Sequence, residues 1–123
     1  MGQFSFQKKM IPNSTAHSAQ KTTDGGYIIG GTSYSNDDYY LVKINALGYI
    51  QWSNAVNAAN YQFINSVKQT NDGGFITGGA SLIPPIGNLV RKYSSSGVIV
   101  WTKNYYGIWS NSYGQCNSIE QTA

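Results

Sequence analysis

The chain has few of the residues from which metal centres and disulfides are built. Cys116 is its one cysteine and His17 its one histidine. A single chain therefore has no intrachain disulfide, no CxxC metal motif and no histidine-based zinc site. No apolar run is long enough to span a bilayer as a helix, and no signal-peptide pattern is visible at the start. We predict neither a metal site nor a membrane span.

Charge is also scarce. Charged residues make up 11% of the chain, and the formal net charge is +3. The basic residues are scattered except at Lys8-Lys9 and Arg91-Lys92, whereas a nucleic-acid surface needs basic residues clustered on one face. The composition therefore excludes nucleic acid as the expected partner.

Glycine and tyrosine, by contrast, are abundant, with 14 and 10 residues. Together with many Thr, Ser and Asn residues they suit strands and tight turns better than helices. Plentiful aromatic and β-branched residues at low net charge argue against disorder. A polar composition with few Lys and Glu residues favours an extracellular or cell-surface location, with any signal peptide removed or encoded outside this sequence.

The sequence repeats itself. Residues 18–31 return at 66–79, and both copies contain Asp-Gly-Gly. Residues 41–52 return at 90–101, one residue out of step. A period of about 50 residues built from short strands is typical of β-propeller blades. The predicted fold is all-β, with about two four-stranded antiparallel up-and-down blades and partial strands at both ends.

Turn residues divide each copy into strands. Asp24-Gly25 and Asp72-Gly73 predict type I′ hairpin turns, in which both central residues have positive φ. The predicted strands are 18–23, 27–33, 39–44 and 49–55 in the first copy, and 66–71, 75–81, 88–93 and 98–104 in the second.

The repeats define the expected domain organisation. Residues 18–56 and 66–105 are the two predicted blades, and 57–65 form the loop between them. Residues 1–17 are predicted to hold the outer strand of a partial blade and a loop. Residues 106–123 are predicted to hold a loop and the first strand of a third blade, with its second and third strands missing. This order favours a piece of a longer propeller, with exchange of end strands between chains as the alternative.

Two tryptophans recur at equivalent places. Trp52 and Trp101 each follow a turn glycine, Gly48 or Gly97, by four residues. Burying a tryptophan removes about 150–250 Å² from water, which stabilises a fold by at most about 4–6 kcal/mol. We interpret both rings as structural clamps between blades, with an aromatic platform for sugar as the alternative.

Asp24 and Asp72 are the acidic residues that recur. Calcium binding needs about six to eight oxygens, and a catalytic carboxylate pair must be brought close together. An Asp in a turn instead bonds its own backbone, so both residues, with Gly25 and Gly73, are predicted to be structural. Cys116 has no His near it in sequence, which leaves a thiol nucleophile unsupported. We predict no catalytic residues, no cofactor and no enzymatic activity.

The loops between blades differ most between the copies. They are rich in Tyr, Trp and Asn, which suit carbohydrate or protein contacts, and loops on a rigid scaffold are where binding groups concentrate. The candidate binding residues are Tyr61, Tyr105, Tyr106, Trp109 and Tyr113.

With these residues in hand, the chain resembles a family of secreted bacterial and archaeal β-propeller repeats. Their repeat has the form Ser-x-x-x-Thr-x-Asp-Gly-Gly-Tyr-Ile-x-x-Gly, then a Leu-Val-Lys strand, then Gly-x-x-x-Trp, which residues 18–52 and 66–101 match. The last element is also similar to the tryptophan-docking motif of quinoprotein propellers. Its Asp and Thr are out of register at Gly48 and Gly97, so no cofactor-binding residue carries over.

Three functions follow as hypotheses. The first is a non-enzymatic extracellular propeller that acts as a scaffold or as a binding or adhesion module. A lectin-like propeller with one sugar site per blade is the alternative, and a fragment of a quinoprotein-like oxidoreductase is the second alternative. Because known propellers close with about four to eight blades, we expect self-association, with three copies and six blades as the simplest ring, or completion by a longer parent chain.

Overall fold

The computed structural model describes residues 14–33, 38–56, 62–81 and 86–106, together with Ile119 and Thr122. These ranges contain eight β-strands in two four-stranded antiparallel sheets, in the orders β1-β2-β3-β4 and β5-β6-β7-β8. The strands are β1 (Ser14–Lys21), β2 (Tyr27–Ser33), β3 (Asp38–Ile44), β4 (Ile50–Val56), β5 (Gln62–Gln69), β6 (Phe75–Ser81), β7 (Gly87–Tyr93) and β8 (Ile99–Tyr106). The all-β prediction is confirmed, and the two sheets are not closed into a ring.

Membrane-spanning helices are also absent from these ranges, since no described helix is long and apolar enough. The strand order within each sheet follows the chain, because each pair of neighbours is joined by a short connection. Each repeat of the sequence therefore forms one up-and-down sheet, which we call the first and the second sheet.

The first strand of each sheet begins earlier than predicted. β1 starts at Ser14 and β5 at Gln62, so residues 14–17 and 62–65 are strand, although they were expected outside the complete blades. Both strands contain a register shift, between Ala16 and Ser18 and between Ile64 and Ser66. A β-bulge adds one residue to a strand, which interrupts the alternation of side chains that would have revealed the longer strand.

The last strand of the second sheet is longer than predicted as well. β8 runs to Tyr106, so Tyr105 and Tyr106 lie in a strand rather than in the loop expected there. Both residues lie in the ladder with β7, where Tyr105 is the partner of Asn88 and Tyr106 that of Gly87. Pairing with β7 explains why this segment is extended.

The hairpin turns are not type I′. In the β1–β2 turn the Gly25 N–H donates to Thr22 O at 3.0 Å, and the Thr22 N–H donates to Gly26 O at 2.9 Å. Thr23 and Asp24 are therefore the central residues, and Gly25 follows with a φ of 84°. A turn closed in this way and followed by a left-handed glycine is the three-residue hairpin with a bulge.

The β3–β4, β5–β6 and β7–β8 turns are of the same kind. Gly48, Gly73 and Gly97 have φ of 85°, 81° and 86°, and the turns that precede them have the same pair of backbone hydrogen bonds. A positive φ is accessible to glycine without strain, so these four glycines fit the positions at which the four described turns end.

The two sheets stack so that one face of the first sheet lies against the opposite face of the second. We call the face that carries Lys43 and Trp52 in the first sheet, and Lys92 and Trp101 in the second, the front face. The front of the first sheet covers the back of the second, and β5 contacts β1, β2 and β3. The core between them consists of Ile28, Tyr39, Leu41, Ile64, Val67, Phe75 and Tyr93, with Trp52 packed against it.

The strands approach each other very closely where β5 crosses β2. A Cβ atom on Gly30 would lie 2.7 Å from Ile64 Cγ2, which is closer than packed carbon atoms come. A backbone amide also bonds across the sheets nearby, because the Val67 N–H donates to Ser18 Oγ at 3.2 Å. The glycine thus allows the inner strands of the two sheets to meet.

A second contact of this kind occurs on the far side of the second sheet. There the Ile119 N–H donates to Ser66 Oγ at 3.1 Å. Ser66 is the counterpart of Ser18 in the repeat, and residues 118–122 align with 18–22. The same serine therefore receives a backbone amide on the front face of both sheets.

Candidate binding cleft between the sheets

Trp52 fastens the first sheet to a turn of the second. It lies on β4 opposite Lys43, and its indole N–H donates to Ser95 O at 3.2 Å. Its ring meets Phe75 edge to face at a centroid distance of 5.6 Å, and Gly97 lies so close that a Cβ there would be 2.6 Å from Trp52 Cε3. The glycine that shapes the turn therefore also makes room for the indole.

Asp24 and Lys43 form a polar group beside this tryptophan. Asp24 Oδ1 accepts hydrogen bonds from the Thr22 hydroxyl and from the Gly26 N–H, the latter at 3.0 Å. The Lys43 ammonium lies 3.1 Å from Asp24 Oδ1 and 2.9 Å from Oδ2. It also donates to Ile44 O at 2.9 Å and to Gln51 Oε1 at 2.8 Å.

This arrangement keeps Asp24 ionised. The hydrogen bond from the Thr22 hydroxyl, followed by those from Lys43 and the Gly26 N–H, holds the pKa of the carboxyl well below its usual range. Each of these donors favours the charged form. The Asp24 side chain remains 52% exposed, whereas that of Lys43 is 5% exposed, so the carboxylate faces solvent and the ammonium is buried behind it.

The second repeat reproduces the pair with fewer partners. Asp72 accepts from the Thr70 hydroxyl, from the Gly74 N–H at 3.0 Å and from Lys92 at 3.0 Å, and in that order they lower its pKa. Lys92 also donates to Tyr93 O at 3.0 Å. Sequence reasoning missed both lysines as partners, although their recurrence at equivalent positions was a usable signal.

An open cleft of about 430 Å³ lies at the junction of the sheets. Its lining includes Asp24, Lys43, Gln51, Trp52, Gln69 and Ser96, so it combines an indole ring, a carboxylate, two amides and a hydroxyl. The Thr23 N–H donates to Gln69 Oε1 at 2.9 Å, and this bond links the β1–β2 turn to β5 of the second sheet. A neighbouring cleft of about 460 Å³ lies beside Lys21 and Lys68.

Arg91 is an unusual member of the core. It is 8% exposed and lies over the Tyr39 ring, with Cζ 4.5 Å from the centroid. Its Nε donates to Thr102 Oγ1 at 3.0 Å and its Nη2 to Gln62 Oε1 at 3.2 Å, while Nη1 has no partner in the part of the chain that the structure describes. Burial lowers its pKa from the usual value.

The predicted binding residues are not brought together by the described part of the fold. Tyr61, Trp109 and Tyr113 lie outside the described residues. Tyr105 is 54% exposed on β8, and Tyr106 is the last residue of the same strand. The cleft at the sheet junction is therefore built from other residues, of which Gln51, Gln69 and Ser96 carried no recurring signal in the sequence.

The predicted structural residues occupy turns and the sheet junction. Gly25, Gly48, Gly73 and Gly97 end the four hairpin turns that the structure describes, and Asp24 and Asp72 brace the two hairpins that contain them. Trp101, the counterpart of Trp52, is 38% exposed, with Lys103 Nζ 5.7 Å from its ring centroid. Within the described ranges no group of three or more His, Cys, Asp or Glu residues could hold a metal ion.

Comparison with known proteins adds no assignment, since no protein-family model matches the chain and a search of the curated proteins found no match. The functional argument therefore depends on the geometry of the sheets and of the cleft between them.

Proposed function

We propose that the chain is a non-enzymatic extracellular β-propeller repeat module, which acts as a structural scaffold or as a binding or adhesion surface. It completes its propeller with further copies of itself or with the remainder of a longer chain. The observation that carries the proposal is the repeated contact in which Ser18 Oγ receives the Val67 N–H and Ser66 Oγ receives the Ile119 N–H.

This repetition distinguishes two ways of packing four-stranded sheets. In a two-sheet sandwich the inner faces of both sheets meet each other. Here Ser18 lies between the sheets, whereas its counterpart Ser66 contacts Ile119 on the other side of the second sheet. A front-to-back contact can be repeated indefinitely or closed into a ring, which is how propeller blades pack.

The tryptophans support the same relation. Trp52 on the front of the first sheet is partly covered by a turn of the second, while Trp101 on the front of the second sheet is 38% exposed. A further sheet that packs on the second sheet by the same operation would cover Trp101. The scaffold role draws support from the use of the recurring charges, because both Asp–Lys pairs brace hairpin turns.

Light scattering on a size-exclusion column tests the assembly. We expect a sharp species at an integer multiple of 13.4 kDa, and three copies would supply six sheets, within the known range of about four to eight blades. Electron microscopy of that species should show rings. A sharp monomer would contradict completion by self-assembly, and oligomers without a central axis would contradict the propeller.

The cleft at the sheet junction favours a lectin-like module as a second candidate. Its indole, carboxylate and amide groups are those that bind sugar hydroxyls and the apolar face of a sugar ring. The version with one identical site per blade is not favoured, because the position of Gln51 is occupied by Val100 in the second repeat. A panel of immobilised glycans tests whether the module binds carbohydrate.

A further inference from the structure

We propose that the cleft between the sheets binds a neutral hexopyranose unit, with Trp52 under the sugar ring and Asp24 and Gln51 on neighbouring hydroxyls. The inference deepens the proposed binding role and depends on it only for the class of function. It does not need a closed ring, because all three residues belong to one chain and line one cleft of about 430 Å³.

Lys43 orients both polar groups of the site. An ammonium has three donors, and those of Lys43 face the Asp24 carboxylate, Ile44 O and Gln51 Oε1. Because the Gln51 oxygen faces the ammonium, its NH₂ group points away from Lys43 and remains a donor. The buried lysine thus prepares an acceptor and a donor beside each other.

Asp24 supplies the acceptor. Its Oδ1 is surrounded by the Thr22 hydroxyl, the Gly26 N–H and Lys43, whereas Oδ2 is contacted by Lys43 at 2.9 Å. A carboxylate oxygen has two lone pairs, so Oδ2 can also accept from a hydroxyl. The side chain is 52% exposed, which leaves this oxygen accessible.

A vicinal pair of sugar hydroxyls matches these two groups. Each hydroxyl can donate one hydrogen bond and accept others, so one hydroxyl can donate to Asp24 Oδ2 while its neighbour accepts from the Gln51 amide. Charged acceptors form the stronger hydrogen bonds. The Lys43 charge is balanced by Asp24 at 2.9 Å, so the site favours a neutral sugar over an acidic one.

Trp52 supplies the apolar surface. Its indole is held by the bond to Ser95 O at 3.2 Å and by the edge-to-face contact with Phe75, and the cleft exposes part of the ring. A rigid aromatic ring with a few well-positioned polar groups is the usual composition of a small-ligand site. The Ser96 hydroxyl lies across the cleft, on the turn of the second sheet.

The three residues proposed to contact the sugar belong to the first repeat. Lys92, Asp72 and Trp101 repeat three of its members, but Val100 stands where Gln51 would be needed. Within the described residues, the second repeat thus lacks the donor at the position equivalent to Gln51. We therefore expect one such site in each chain of 123 residues.

Nuclear magnetic resonance spectra of the ¹⁵N-labelled full chain test the proposal. The probes are glucose, galactose, mannose and N-acetylglucosamine, each titrated to saturation or to its solubility limit. We expect at least one sugar to shift the Gln51 side-chain NH₂ and the Trp52 indole N–H signals. The Trp101 indole N–H is the internal control and should not move. No shift with any of the four sugars would overturn the proposal.

Two variants of Gln51 sharpen the test. Gln51→Glu keeps an oxygen facing Lys43 but replaces the donor by an acceptor, and Gln51→Leu removes both. Loss of one hydrogen bond corresponds to about ten-fold weaker sugar binding, so we expect at least that loss in both variants. Val100→Leu is the matched control at the equivalent position of β8, and its affinity should be unchanged.

Either of two results would overturn the site even if a sugar binds. One is equal affinity of the Gln51→Glu and Val100→Leu variants, and the other is a set of shifts centred on Trp101. The backbone amide spectrum shows whether each variant is folded, and light scattering of the same samples tests the propeller separately. A monomer that binds sugar through Gln51 would keep this site and contradict the assembly.

Discussion

Trp52 and Trp101 occupy the same place in the two repeats, yet their surroundings differ. Trp52 donates a hydrogen bond to Ser95 O, packs against Gly97 and meets Phe75 edge to face. Trp101 is 38% exposed, and Lys103 Nζ lies 5.7 Å from its ring. Equivalent tryptophans thus form a joint between sheets in one case and remain 38% exposed in the other.

Lys43 and Lys92, which pair with these tryptophans across the strands, also differ in exposure, but by less. The Lys43 side chain is 5% exposed and that of Lys92 is 15% exposed. Lys43 also contacts Gln51, while Val100 stands at that place in the second repeat. In both sheets the aspartate lies in the turn between the first two strands. The packing of the next sheet decides how deeply the Asp–Lys pair is buried.

The back faces of the two sheets differ in the type of side chain that is buried. Val42 is fully buried on the back of the first sheet, whereas its counterpart Arg91 inserts a guanidinium between the sheets. Among the described residues no carboxylate pairs with Arg91. Desolvating such a cation is unfavourable, and the stack on Tyr39 and two neutral hydrogen bonds compensate for part of that. The second copy therefore departs from the repeat at a buried position.

The largest expected effect separates the two tryptophans. Trp52→Ala removes an aromatic ring from the joint between sheets, so we expect a loss of roughly 3 kcal/mol in the free energy of unfolding. Trp101→Ala removes an exposed ring, and we expect a loss of about 1 kcal/mol. Urea denaturation at a protein concentration where the assembly state is constant measures both. Equal losses would contradict the difference in environment.

The lysines should differ in the same direction. Lys43→Met keeps the apolar stem but removes the charged hydrogen bonds to Asp24, Ile44 O and Gln51, with an expected loss of about 2 kcal/mol. Lys92→Met removes fewer bonds at a more exposed site, with an expected loss of about 1 kcal/mol. Denaturation curves of the two variants provide the comparison, and a larger loss for Lys92→Met would reverse it.

Replacing the buried guanidinium should raise stability. In Arg91→Met an apolar side chain of similar length takes the place of a desolvated cation, as Val42 does in the first sheet. We expect a gain of about 1 kcal/mol, measured by thermal and urea unfolding. Val42→Met at the equivalent position is the control and should destabilise slightly through overpacking. A marked loss of stability in Arg91→Met would show that the cation has a partner it needs.

The smallest expected effect is on stability at acid pH, where equivalent substitutions in the two repeats should have similar effects. Both carboxyl pKa values are lowered below the ordinary 3.8, chiefly by Thr22 and Thr70 within the turns. A lowered pKa stabilises the folded state above the ordinary value, and this stabilisation is lost as the pH falls below it. Asp24→Asn and Asp72→Asn should each flatten the acid side of the stability profile by a similar small amount. Clearly unequal effects would mean that the sheet contact, rather than the turn, sets the pKa.

Much of the fold could be predicted because its signals are local. The repeat and the residues at the turns predicted two four-stranded units with boundaries within a few residues of the observed ones. The type I′ prediction was wrong because the Thr22–Gly26 and Thr70–Gly74 bonds enclose three residues rather than two. The early starts of β1 and β5 were missed because a bulge shifts the register within each strand.

The cleft was harder to predict because its parts are distant in sequence. Trp52 and Asp24 stood out by recurrence, but Gln51 does not recur, and its role depends on Lys43 reaching its oxygen. Gln69 and Ser96 come from the second repeat, and nothing in the sequence relates them to the first. A surface formed by residues of two sheets cannot be recognised from the sequence of either repeat alone.

The amino-acid order was enough to determine the all-β character, the length of the repeat and the points at which the chain turns, because glycine conformation and side-chain alternation act between near neighbours. The tertiary structure decided which face of each sheet is covered, that Trp52 rather than Trp101 contacts the next sheet, and that Lys43 bonds both Asp24 and Gln51. Those outcomes depend on the packing of one sheet against the next, and the two repeats differ in them because their neighbours differ and because residues such as Gln51 and Val42 are replaced by Val100 and Arg91.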